Sequence, residues 1–147
     1  MTDPLKTALL SRYNSDMLER LSGVLEDDKR ILYALLFGSV SRGTSTSGSD
    51  VDVAIGLGPS VRLTARDLGT LVARLEEAVG RDVDIVVLDE APPGLAYRVF
   101  RDGKVLLLRD RAALVSRKAR AILEYLDYKP IEDACTRGVL AAAARGR

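Results

Sequence analysis

Seven apolar residues in a row, Ile31 to Phe37, stop at Gly38-Ser39, and that junction constrains the fold more than any other stretch. A run with no polar face suits a central strand buried on both sides; a buried helix would have to continue past Gly38. The segment 39–49 is too polar for core and too rich in Ser, Thr and Gly for a long helix. One short helical turn near Ser39, then loop, is expected there. Alternation resumes at once: Val51, Val53 and Ile55 interleave with Asp50, Asp52 and Ala54, a half-buried strand ended by Gly56-Leu57-Gly58-Pro59. Val83, Ile85 and Val87 against Asp82, Asp84 and Val86 make a third strand, and Asp102-Gly103 turns the chain into a fourth, Lys104 to Leu108.

Helical signals fill the gaps. Asp3 caps a first helix with Pro4 at its first position, and Leu5, Leu9, Met17, Leu21 and Val24 recur at helical spacing. Asn14-Ser15 is either a break or a second start. Thr64 caps an amphipathic helix whose stripe is Leu68, Leu71, Val72, Leu75 and Val79, with Gly80 where a C-terminus wants positive φ. Pro92-Pro93 opens a short helix, Gly94 to Phe100. Arg111 to Tyr128 reads as a long helix with Val115, Ala119, Ile122 and Leu126 inward, interrupted by Pro130. The expectation is an α+β fold: a small mixed central sheet of about four strands with helices packed mainly on one side. Residues 1–128 would form the domain and 129–147 a C-terminal helical tail.

At 147 residues with 47% hydrophobic side chains, one domain with a proper core is expected. A formal charge of +1 marks no general nucleic-acid-binding surface. Histidine is absent, which removes the usual Ser-His and Cys-His nucleophiles and imidazole-held zinc. Any metal would be held by oxygen, favouring magnesium or manganese. The lone Cys135 precludes an internal disulfide, and neither a signal peptide nor an apolar run of membrane-spanning length is legible, so a cytoplasmic setting is expected.

Asp50 and Asp52 leave the same face of a strand, roughly 6–7 Å apart. So close a pair repels unless a cation lies between. If the third strand lies beside the second, Asp84 projects toward the same point. Three carboxylates on neighbouring strands can hold two metals about 3.5–4 Å apart, which suits in-line displacement at phosphorus. The plainer alternative is that all three merely face water; aspartate is disfavoured in strands, which favours the metal platform. Gly38-Ser39 is either an ordinary turn or a place where a phosphate meets the backbone. Arg42 is either solvated or reaches a polyphosphate.

Taken together, Gly38-Ser39, ten residues, then Asp50-x-Asp52 resembles the Gly-Ser-x10-Asp-x-Asp signature of the nucleotidyltransferase superfamily that includes DNA polymerase β. Composition alone would produce it in roughly one chain in a thousand of this length, so the match is specific. Leu36 to Gly43, Leu-Phe-Gly-Ser-x-x-Arg-Gly, and Val83 to Leu88, Val-Asp-Ile-Val-Val-Leu, resemble the minimal nucleotidyltransferases in particular. Small members of that group are antitoxins of HEPN/MNT toxin–antitoxin pairs, which transfer AMP from ATP to a tyrosine of a HEPN ribonuclease toxin. The resemblance covers roughly Leu5 to Asp110.

The resemblance implies that Gly38 and Ser39 bind the β- and γ-phosphates of ATP with help from Arg42. It implies that Asp50 and Asp52 ligate two magnesium ions, and that Asp84 shares one of them and helps deprotonate the incoming hydroxyl. Val40-Ser41 replaces the more usual apolar-then-alanine pair before Arg42, a departure that should leave the turn intact. The implied partners are ATP and a HEPN-family toxin, with no membrane and no stable nucleic-acid binding. Two other readings remain open: a small-molecule, aminoglycoside-type nucleotidyltransferase, and a non-catalytic antitoxin that neutralises by covering its partner. Arg109 to Arg147 carries nine basic and five acidic residues. That segment is either a solvated helix face or a docking surface for a toxin subunit, for which Leu114, Ala121, Tyr125 and Tyr128, off the expected inward stripe, would be the spare apolar residues.

Overall fold

The computed structural model describes residues 4–41 and 50–146; side chains are described from residue 15 onward, save those of residues 39 and 41. The expected elements are present: α1 (Pro4–Glu26), β1 (Ile31–Phe37), α2 (Gly38–Ser41), β2 (Val51–Leu57), α3 (Ala65–Val79), β3 (Val83–Val87), α4 (Pro93–Asp102), β4 (Lys104–Leu108) and α5 (Arg111–Arg145). A 3-10 turn, Leu88–Glu90, follows β3. The capping role of Asp3 lies outside the described residues. Asn14-Ser15 is no break, because α1 runs through it. Among the described residues no helix is long and apolar enough to cross a membrane.

The four strands form one mixed sheet in the order β3-β2-β1-β4. β1 is antiparallel to both β2 and β4, while β2 and β3 run parallel, joined by α3 as a crossover. Central position explains why β1 is apolar throughout: Ile31, Ala34 and Leu36 join one core while Tyr33 and Leu35 join the other. The larger core, under α1 and α3, collects Met17, Leu21, Leu25, Val51, Val53, Ile55 and Leu75; the helices are not gathered mainly on one side as expected, because α4 and α5 cover the other face. A smaller core closes the opposite face, where Tyr33, Ala54, Leu88, Ala96, Val99, Phe100 and Ala121 pack beneath α4 and α5.

Helix α3 is delimited as its sequence requires. Thr64 and Asp67 form a reciprocal capping box, and Gly80 ends the helix at φ 68°. Helix α5 departs from expectation twice. Its inward residues are Leu114, Arg117 and Ala121, with Tyr125 stacked on Tyr97 of α4 at 4.1 Å. Val115, Ala119, Ile122 and Leu126, expected inward, are exposed. The cause is Arg117, only 6% exposed, whose Nε and Nη2 donate to the Leu88 carbonyl at 3.1 and 2.8 Å. A charged residue at the centre of the buried stripe shifts the apparent apolar phase by one position. Pro130 does not interrupt α5 either, which remains helical to Arg145. It lies on an exposed stretch, where water can satisfy the carbonyl that proline leaves without a donor.

Candidate active site

Strand periodicity places the carboxylates. Val51 and Val53 are fully buried in the larger core, which forces Asp52 onto the opposite face, the one that carries α4. In the sheet register Asp52 is opposite Phe37 of β1 on one side and Asp84 of β3 on the other. Asp50, just before β2, shares its parity. The structure therefore brings Asp50, Asp52 and Asp84 together at the sheet end where β1 finishes. Asp50 and Asp84 are exposed, and Asp52 is half-buried.

Burial, first, and then the negative charges of Asp84 and Asp50 push the Asp52 carboxyl above its ordinary value. Among the described residues no ion pair or hydrogen bond reaches these three carboxylates to offset that repulsion. Nor, among the described residues, does any group of three acidic side chains close into a cage that would hold an ion unaided. Three oxygen donors, two of them close enough for their charges to raise the carboxyl of the third, Asp52, fit a divalent ion of the hard, oxygen-preferring kind.

Gly38 stands at the β1–α2 junction with φ 76°, a left-handed conformation that favours glycine. A Cβ built there would overlap the Asp52 carboxylate. The turn and the carboxylate are thus packed directly against each other. Val40, 4% exposed, anchors α2 in the larger core. Ser39 contributes its backbone to α2, while Arg42 lies outside the described residues, as does the position of the Ser39 side chain.

Sequence reasoning missed the wall opposite Gly38. Phe37, Gly38, Leu95, Arg98, Arg101 and Asp102 enclose a groove of about 220 Å³ between the β1–α2 turn and α4. The signal was faint: two arginines at i and i+3 on a helix whose buried positions are Ala96, Val99 and Phe100. Larger hollows lie elsewhere, one of about 410 Å³ around the loop 58–63 and another of about 260 Å³ beside Tyr33 and Arg117. Both gather at the far end of β2, around Leu57, away from the carboxylates. Chemistry, not volume, picks out the site.

Residues 19–112 match the family model described as polymerase beta, nucleotidyltransferase. The chain is 38% identical over 71 residues to protein adenylyltransferase MntA of Shewanella oneidensis, a match covering 48% of this chain. It thereby spans about half the length of that curated relative, 50%. Among solved structures it resembles a toxin–antitoxin complex with AMP-PNP, at TM-score 0.74 and 26% identity over 84% of this chain and 98% of the other. The MNT antitoxin fold recurs in a complex with tri-AMPylated HEPN toxin of Shewanella oneidensis, at TM-score 0.71 and 23% identity over 86% of this chain and 98% of the other. With the family model matching residues 19–112, most of the chain, this protein belongs to the polymerase-β-type nucleotidyltransferase family.

Proposed function

We propose that this protein is a magnesium-dependent adenylyltransferase that moves AMP from ATP to a hydroxyl, a tyrosine side chain, of a HEPN-type toxin and so serves as its antitoxin. The observation that carries the reading is Asp52 held between Asp84 in register and Asp50 two residues before it, against the glycine turn that ends β1. The likeness to MntA and to a toxin–antitoxin complex with AMP-PNP supports ATP as donor and a protein as acceptor.

In this reading Asp50, Asp52 and Asp84 hold two magnesium ions, which supply positive charge to the reacting phosphate and make the acceptor hydroxyl more acidic. Gly38 and Ser39 seat the β- and γ-phosphates, with Arg42 as a cationic contact. Asp84 helps to take the proton from the acceptor hydroxyl. The hydroxyl oxygen bonds to the α-phosphorus as the bond to the bridging oxygen breaks, and pyrophosphate departs. The toxin docks on the far half of α5, where Ile131, Val139 and Leu140 stand clear of both cores. The exposed, unpaired Cys135 agrees with a reducing, cytoplasmic setting.

Incubation with α-labelled ATP, magnesium and the HEPN partner, beside the Asp50→Asn/Asp52→Asn double variant, tests this directly. Label should appear on the partner with the native protein and vanish with the variant. A tight complex that never takes label would favour neutralisation by covering; label passing to an aminoglycoside instead would favour the small-molecule reading.

A further inference from the structure

We infer that Arg98 of α4 grips the polyphosphate tail of the nucleotide from the side of the groove opposite Gly38, and so makes the site select a triphosphate. The inference rests on the nucleotidyltransferase reading and extends it to a residue outside the signature. Arg98 and Gly38 line the same groove, floored by the apolar side chains of Phe37 and Leu95. A guanidinium meeting a phosphate over such a floor is less screened by water than one on open surface.

The two groove arginines differ in what they have left to offer. Arg101 is committed, its Nε and Nη2 donating to both oxygens of Asp102 at 2.9 and 2.8 Å while the guanidinium lies 5.8 Å above the Tyr97 ring. Arg98 has only its Nε tied, to the Gly94 carbonyl one turn back at 3.2 Å. Among the described residues no carboxylate takes its terminal nitrogens. That single tether steers the guanidinium along the helix and leaves a planar pair of N–H donors free, the geometry that suits phosphate oxygens.

The helix beneath is fixed. Ala96 and Val99 are fully buried and Phe100 nearly so, which locks α4 to the sheet face that carries the carboxylates. Charge points the same way. With Asp50, Asp52 and Asp84 at one end, a polyphosphate lying along this face needs cations at its other end, and Arg98 supplies one there independently of Arg42.

Calorimetric titration of ATP and of AMP, each with and without magnesium, tests the assignment on the native protein, Arg98→Ala, Arg98→Lys and Arg66→Ala. Arg66 is an exposed cation on α3, across the sheet, and controls for loss of net charge. Arg98→Ala should raise the ATP dissociation constant about tenfold or more and leave that for AMP within about twofold. Arg98→Lys should fall between, and Arg66→Ala should match the native protein. Equal losses for ATP and AMP, or native ATP affinity in Arg98→Ala at an unchanged melting temperature, would overturn the assignment alone. A native protein that binds neither nucleotide would overturn the nucleotidyltransferase reading and the assignment with it.

Discussion

Gly38 is glycine for two separable reasons, and they predict different behaviour. Its φ of 76° costs a side-chain-bearing residue about 1–2 kcal/mol. The space a Cβ would occupy is already filled by the Asp52 carboxylate, which adds a steric cost. Gly38→Ala should therefore destabilise the chain by more than the conformational penalty and also displace a carboxylate on which AMP transfer depends. In an Asp52→Ala background the steric part should disappear and only the conformational part remain. Denaturant midpoints of the two single variants and the double one measure that coupling, and simple additivity would sink the account. At this scale the sequence was informative where periodicity alone decides: a spacing of two residues sends Asp50 and Asp52 out of one strand face. The adjacency of Asp84 needed only that β3 lie beside β2. Arg98 was illegible because its role depends on where α4 crosses the sheet, and no local pattern encodes that crossing.

Elements were legible where they carry their own punctuation. The Thr64 hydroxyl accepts from the Asp67 N–H at 3.1 Å while the Asp67 carboxylate accepts from the Thr64 N–H at 2.9 Å. Arg30 from the α1–β1 turn adds an ion pair to Asp67 at 3.2 Å. These hydrogen bonds to Thr64, and then the Arg30 charge, hold the Asp67 carboxyl below its ordinary value of 3.8. A carboxyl lowered on folding stabilises the fold above the unfolded value, and that stabilisation drains away as pH falls through the folded value. Thr64→Ala should thus cost about 1 kcal/mol at neutral pH. Asp67→Asn should destabilise at neutral pH but lose its effect in acid, below 3.8, which urea melts across the acid range would show. A penalty that persisted undiminished in acid would mean the carboxylate charge is not what matters. Helix α5 was misphased for the opposite reason: its buried stripe is built around Arg117, whose Nε and Nη2 donate to a carbonyl from the turn after β3. A reading by polarity alone assigns such a residue to solvent.

The two cores divide the molecule unevenly along α5, and that division makes the last prediction. Among the described residues none beyond Ala121 enters either core, and the Tyr97–Tyr125 stack is the farthest aromatic contact along the helix. Beyond it Leu126, Ile131, Val139 and Leu140 are all exposed, the last two at 68% and 64%. A stretch that buries so little contributes little to the domain, while the apolar surface it offers is larger than solubility alone would favour. Cutting the chain after Lys129 should therefore leave the melting temperature within a few degrees and the urea dependence of unfolding nearly unchanged, because the surface exposed on unfolding the cores is the same. The same cut should abolish co-elution with the HEPN partner on size exclusion and, with it, labelling of the partner. Binding of ATP should survive, since every candidate nucleotide contact lies before residue 103. A truncated chain that still captured its partner would place the docking surface on the nucleotidyltransferase body. One that unfolded would show that the far half of α5 belongs to the domain, making residues 1–128 too short a unit.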